Sequence, residues 1–197
     1  MPRRLLALAV AALALLAGAG CADNVSPAAR IGDVKIGNDA FLAEVAEWVG
    51  NPMAVDPSML GSPSPGTYPL DLVRQLLQQR IEFELHRQEF DALGLKLDNT
   101  MRDAALASLF GDPSAAKQPF SAFSKEFAKS FTDDAARQLA VQTKLGDTGY
   151  TKWHTAAYAK TTIEVSPRYG TWDAATGQIV APKGPIQPST TTVPPRQ

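Results

Sequence analysis

The stretch from Tyr68 to Leu97, YPLDLVRQLLQQRIEFELHRQEFDALGLKL, limits the folds open to this chain more than any other. Leu70, Val73, Leu76, Leu77, Ile81 and Leu85 recur at helical spacing, and Leu72, Phe83 and Phe90 widen the apolar stripe past half the circumference. The remaining face carries Gln75, Gln78, Gln79, Glu82, His86 and Glu89. A stripe this wide suits a helix held by several partners rather than one lying on a single surface. Pro69 fits the first turn, where its missing N–H costs nothing, and Gly94 supplies the C-terminal stop. One helix of about 24 residues is expected as the spine of a mainly helical domain.

The N-terminus reads as a targeting segment, residues 1–20, that stands apart from the fold. Arg3 and Arg4 give a positive start, and Leu5 to Ala17 is apolar but short for a membrane-spanning helix. Gly18-Ala19-Gly20 and Cys21 follow. Cys21 is the only cysteine of the chain. Its position resembles the lipid-attachment cysteine of bacterial lipoproteins, with Gly18 standing where that pattern has Leu. The alternative is cleavage after Ala17-Gly18-Ala19, which leaves an unpaired thiol in an oxidising compartment. Either way an exported protein is expected, anchored to the cell membrane on its extracytoplasmic side if Cys21 is lipidated, with residues 21–29 as the tether. Taking Arg3 and Arg4 from the 19 Lys+Arg leaves 17 against 20 Asp+Glu, a net charge of −3. That balance argues against nucleic acid as a partner, because such a role calls for a basic stripe. Without a disulfide framework the fold must rest on one hydrophobic core, expected over residues 30–173.

Gly32-Asp33, between Arg30-Ile31 and Val34-Lys35-Ile36, suggests a tight hairpin. Gly37-Asn38-Asp39 offers helix-capping side chains, and Phe41, Val45 and Trp48 predict a short helix over 38–49. Residues 50–67, rich in Gly, Pro and Ser, form a long loop whose Met53, Val55, Met59 and Leu60 either tuck onto the core or form a lip over a groove. Asp98-Asn99-Thr100 caps a further helix carrying Met101, Ala105, Leu106, Leu109 and Phe110, with Thr100 and Asp103 close to capping-box spacing. Pro119 opens the next, whose Phe120, Phe123, Phe127 and Phe131 share one stripe. Such a stripe is either core or a partly open apolar groove for unfolded segments. Thr132-Asp133-Asp134 caps a helix that Gly146 ends, and Tyr150, Trp153, Ala157 and Tyr158 mark a last helical patch. Ile163 and Val165 alternate as in a strand, Pro167 ends it, and Arg168 to Asp173 reads as a turn. Residues 174–197, dominated by Pro and Thr from Ala181 onward, are expected to be a disordered tail.

No catalytic constellation is recognisable. His86 and His154 are the only histidines, and neither has metal-ligand or triad spacing. His86, on the polar face of the spine, is expected to be solvated, and His154 to be a surface or packing residue. No glycine-rich phosphate loop is present. These readings predict a protein without catalytic residues, cofactor or metal.

The order of these segments resembles the N-terminal chaperone domain of SurA, shared in looser form with PrsA-type foldases and the C-terminal domain of trigger factor. Ile31-Gly32-Asp33 stands at the family's first turn, with departures from its Asn-Gly. Ile36 and Phe41 match the start of its first helix, and Leu85, Phe90, Leu93-Gly94-Leu95 and Leu97 match the end of its long helix. Asp98 to Phe110 matches the capped helix that follows, and Val165-Ser166-Pro167-Arg168-Tyr169-Gly170-Thr171-Trp172-Asp173 is similar to the closing strand of related short lipoproteins. The resemblance spans about residues 29–173. It implies a SurA N-terminal-like helical domain closed by short N- and C-terminal strands, with Ile31, Val34 and Ile36 near Ile163 and Val165. It also implies an ATP-independent holdase for unfolded exported proteins. Met53, Met59, Leu60, Phe110, Phe120, Phe123 and Phe127 are the candidate client contacts. Residues 111–160 lack parvulin-like motifs, so prolyl isomerase activity is not implied. The other reading is an envelope adaptor lipoprotein with one defined partner.

Overall fold

The computed structural model describes residues 26–51, 67–112, 114, 120–182 and 190–192 of the chain. The expected targeting segment (residues 1–20), Cys21, the 52–66 loop with Met53, Met59 and Leu60, Pro119 and most of the expected tail lie outside the described residues. Among the described residues the fold is mainly helical, with four helices and a few short strands.

β1 (Ala29–Ile31) and β2 (Val34–Ile36) form a hairpin, with Ile31 opposite Val34. Its two-residue turn places Gly32 at φ 56°, and Asp33 keeps a negative φ. Glycine at the first central position is what a II′ turn demands. α1 (Asn38–Val49) follows, then β3 (Thr67–Pro69) and α2 (Leu70–Ala92). α3 spans Asn99–Phe110, and α4 spans Lys125–Lys160 with a break at Gly146. β4 (Ile163–Val165), β5 (Thr171–Asp173), β6 (Gln178–Val180) and β7 (Thr190–Thr192) complete the order.

α2 is the 23-residue spine. It touches α1, α4, β1, β3 and β6, which accounts for its wide apolar stripe. Val73, Leu77 and Ile81 are fully buried in one cluster with Ile31, Phe41, Val45 and Tyr169. Burying an aliphatic side chain of this size contributes about 1.5–3 kcal/mol, so this seam alone outweighs any ion pair in the molecule. Gly94, at φ 64°, lets the chain leave the helix.

The two ends of the domain meet in one sheet of order β2-β1-β4. Ile31 pairs with Ile163 and Ala29 with Val165, both antiparallel, and Val34 and Ile36 lie on the far side of β1. Gly32 N–H donating to Thr162 O at 2.9 Å and Ser166 N–H donating to Ala28 O at 2.9 Å extend the ladder at both ends.

Several expectations need correction. Thr132-Asp133-Asp134 starts no helix. The start is Ser124, whose Oγ accepts from Phe127 N–H at 3.3 Å, and α4 runs straight through the triplet. The two aspartates tolerate mid-helix burial because each meets two cations. Asp133 accepts from Arg102 (2.6 Å) and Lys129 (2.7 Å), and Asp134 from Arg80 (3.0 Å) and Arg137 (2.8 Å). Gly146 (φ 64°, ψ 169°) does break the helix as expected, and the helical patch carrying Tyr150, Trp153, Ala157 and Tyr158 follows at once. The α3 cap is Asp98 itself, whose Oδ1 accepts from Met101 N–H at 2.8 Å, rather than a Thr100–Asp103 box. The N-cap of α1 is Gly37, with no side-chain capping bond; Asn38 is buried and used elsewhere. The turn expected over 168–173 closes by Tyr169, and β5 then pairs with β6. β6 falls within the stretch expected to be a disordered tail. Ile179 is buried there because Trp172 faces it across the hairpin and both join the main core. β7, also within that stretch, pairs with β3.

Candidate functional site

The phenylalanine stripe gathers around Trp48 of α1. The Trp48 ring meets Phe123, Phe127 and Phe131 edge-on, at centroid distances of 5.4, 5.8 and 5.2 Å. Phe83 of α2 adds a contact with Phe131 at 5.8 Å. Phe110 and Phe120 join at 5.6 Å, and Phe120 also meets Phe123. Phe123 is buried, whereas Phe110, Phe120 and Phe127 are half-buried. Edge-to-face pairs of this kind add about 0.5–1.5 kcal/mol each beyond burial. The stripe is therefore mostly engaged in welding α1 to the first half of α4. Ser124 N–H, donating to Glu47 Oε2 at 3.1 Å, ties the same two elements. Trp48 reads as an ordinary apolar position of its own helix, so nothing local marked it as the hub.

Open grooves lie elsewhere, along both sides of the seam between α3 and α4, and one of them is apolar. On one side, Leu95, Met101, Ala104, Leu139 and Ala140 line a groove of about 320 Å³ that presents almost only carbon. On the other, Ala105, Leu109, Gln138 and Leu139 line a smaller one of about 180 Å³, with mixed polar and apolar walls. Leu109 is 51 % exposed, unusual for a large apolar side chain. The buried contact between these helices is made of small residues, Ala105 against Ala135 and Ala136. Small residues bring the backbones close and leave the flanking Met101 and Leu139 only partly covered. The clue in sequence is α3 itself: Met101, Ala105, Leu106, Leu109 and Phe110 span more of its surface than one partner helix can cover.

A third cleft, about 510 Å³, runs beside α2 and is bounded by α4 and the β5–β6 hairpin. Gln75, Gln78, Gln79 and Gln138 face it, with Asp71, Arg74 and Glu82. Arg74 is committed to Asp71 (2.6 Å) and to the carbonyl of Tyr169 (2.6 Å).

Glu82 belongs to a polar cluster that joins α2 to the second half of α4. Its carboxylate accepts from the Tyr158 hydroxyl and lies 3.1 Å from His154 Nε2. Tyr158 Oη is also 2.9 Å from His154 Nε2. Burial raises the Glu82 carboxyl above its ordinary pKa, against the hydrogen bond and charge of His154, which pull it down. One turn on, His86 is 0 % exposed, which corrects the expectation of a solvated side chain. Its Nδ1 lies 2.7 Å from the Glu82 carbonyl and its Nε2 3.0 Å from Tyr150 Oη. Trp153 and Tyr150 pack on its ring at 4.9 and 5.8 Å. Burial pushes the His86 pKa down to about 4, so the imidazole is neutral near pH 7. His154 is half-buried and packs on Tyr158 at 4.3 Å. The residues that cover His86 come from beyond Gly146, which is why its own helix periodicity marked it as exposed.

A second ionic cluster lies under the aromatic hub, where Arg80 reaches both Glu44 (3.5 Å) and Asp134 (3.0 Å). Burial raises both carboxyls above their ordinary range, and Arg80 counteracts it. No group of three or more His, Cys, Asp or Glu among the described residues is placed to hold a metal ion. No helix among them is long and apolar enough to cross a membrane. Comparison of the chain with protein-family models, curated proteins and solved structures finds no significant match.

Proposed function

We propose that this chain is an exported, membrane-anchored, ATP-independent holdase with a SurA N-terminal-like domain. The observation that carries the reading is the open apolar groove beside the α3–α4 seam, lined by Leu95, Met101, Ala104, Leu139 and Ala140, with the exposed Leu109 on the other side of the seam. A soluble domain seldom leaves apolar surface contiguous without a partner for it. Grooves of this depth accept one or two apolar side chains at a time, which suits weak, sequence-tolerant capture of unfolded chains. Holding such chains lowers their free concentration and hence their aggregation, by mass action alone. The family reading is supported by the order of elements: hairpin, short helix, long spine, capped helix, and a late strand returning to β1. The export reading rests on the N-terminal residues and Cys21, and the anchor on a lipid at that cysteine.

The client contacts move accordingly. Phe120, Phe123 and Phe127 pack around Trp48 and one another, so they support the domain more than they offer surface. Their engagement favours a second reading, an adaptor for one partner that docks on the α3–α4 seam.

The test is suppression of aggregation. The chain from Ala22 onward is mixed with a chemically unfolded client, and light scattering is followed on dilution. The holdase reading expects suppression at near-stoichiometric amounts for several unrelated clients, weakened by Leu109→Ser with Leu139→Gln while circular dichroism is unchanged. Absence of suppression at large excess across those clients would remove the holdase and leave the adaptor.

A further inference from the structure

We propose that the cleft beside α2 binds the main chain of an extended polypeptide through the side-chain amides of Gln75, Gln78, Gln79 and Gln138. This deepens the holdase reading and rests on it: the α3–α4 grooves would take client side chains, and this cleft the client backbone.

Four observations point to that ligand. First, none of these four amides has a hydrogen-bond partner among the described residues, although Gln78, Gln79 and Gln138 are half-buried. Each amide carries two donor hydrogens and an acceptor oxygen, the same complement a peptide group needs. Second, the charges lining the cleft are already committed, Arg74 to Asp71 and to Tyr169, and Glu82 to His154 and Tyr158. Apart from the exposed Asp71, what remains to offer is neutral and polar, so an anionic ligand gains little. Third, the spacing fits. Gln75 and Gln79 are one helical turn apart, about 6 Å along the axis. An extended chain repeats its same-side polar groups every two residues, about 6.7 Å. Fourth, the cleft is continuous with the surface of the α3–α4 seam. Gln138 lines both this cleft and the groove containing Leu109 and Leu139. A backbone held here can deliver a side chain there. A glycan would need an open aromatic face to stack on, and Phe83, the aromatic residue among the cleft's described lining, is buried.

The test uses the whole protein carried in lipid nanodiscs and a fluorescein-labelled octapeptide of alternating serine and leucine, read by fluorescence anisotropy. Three further probes are the same peptide with alternate amides N-methylated, a β-1,4-linked N-acetylglucosamine tetramer, and the triple variant Gln75→Met, Gln79→Met, Gln138→Met. Methionine keeps side-chain length and removes the amide. The proposal expects the triple variant to weaken peptide binding by about tenfold or more, N-methylation to weaken it similarly in the parent, and the two losses not to add. Parent and variant binding the peptide alike would overturn the cleft and leave the holdase standing. Tight binding of the N-methylated peptide would do the same. Binding of the sugar tetramer in place of the peptide, lost in the variant, would replace the proposal with a glycan site. A parent that binds no peptide would overturn this inference, and the light-scattering test would then decide the holdase reading by itself.

Discussion

The Tyr169 hydroxyl donates to Asn38 Oδ1 at 2.6 Å, joining residues 131 positions apart. Both side chains are buried, the tyrosine completely. Phe41 packs edge-on against the Tyr169 ring at 5.7 Å, and Arg74 Nε holds its carbonyl. One residue after β4 thus grips α1 and α2 together. It does from the side-chain layer what the β1–β4 pairing does from the backbone.

Tyr169→Phe should therefore lower stability by about 1–3 kcal/mol, since the Asn38 oxygen would keep only the long contact from Arg168 at 3.5 Å. Urea unfolding at pH 7 measures it. A midpoint unchanged from the parent would mean that water replaces the hydroxyl and that the bond is no tie between the ends.

Arg80→Gln should cost more at pH 7 than at pH 4. Glu44 and Asp134 are carboxyls raised by burial and held down by Arg80. Without the guanidinium their folded pKa values rise further. A raised carboxyl contributes stability that is present below its unfolded pKa and lost as pH rises through its folded value. The expected loss at pH 7 is about 1–3 kcal/mol, discounted because Arg80 is part-exposed, and it should shrink on acidification. An equal loss at both pH values would show that Arg80 acts through packing alone.

The spine, the Gly32-Asp33 hairpin, the Asp98 cap and the helix over 38–49 were legible because each is encoded within a few residues of itself. What was not legible depends on residues distant in sequence. Asp133 and Asp134 looked like a cap because Arg102 and Arg80 lie 31 and 54 positions away. His86 looked solvated because Tyr150 and Trp153 cover it from beyond Gly146. The tail looked structureless from composition, yet Gly170 and Gly177 set the geometry of a hairpin whose Ile179 is core. The phenylalanine stripe was visible, but its function as packing depended on Trp48, and the open surface fell instead to Leu109 and Leu139.

Gly170 makes that hairpin testable. Its φ of 137° disfavours any other residue, and a Cβ there would run into the carbonyl oxygen of Val180. Gly170→Ala should lose at least about 2 kcal/mol. Gly37→Ala, where a Cβ meets nothing within 4 Å and φ is −62°, is the control and should cost less than about 1 kcal/mol. Thermal unfolding of the pair decides the matter, and similar melting temperatures would refute the tight β5–β6 approach.

His86→Gln should flatten the dependence of stability on pH between about 4 and 6.5. The folded pKa is depressed to about 4 from its ordinary 6.5, so within that window the unfolded chain binds the proton that the folded chain refuses. Stability then falls as pH falls, by about 3 kcal/mol across the window from this residue alone. Glu82 works in the opposite sense, because its folded pKa is raised and its contribution is present at low pH and lost as pH rises. Glu82, His154 and Tyr150 face the imidazole in the parent and remain in the variant, so subtracting the two curves isolates the contribution of His86. Glutamine can still donate to the Glu82 carbonyl and meet the Tyr150 hydroxyl, which keeps the comparison about charge. Urea unfolding at pH 7.5, 5.5 and 4.5 gives both curves, and parallel curves would mean that the buried imidazole takes up its proton without penalty.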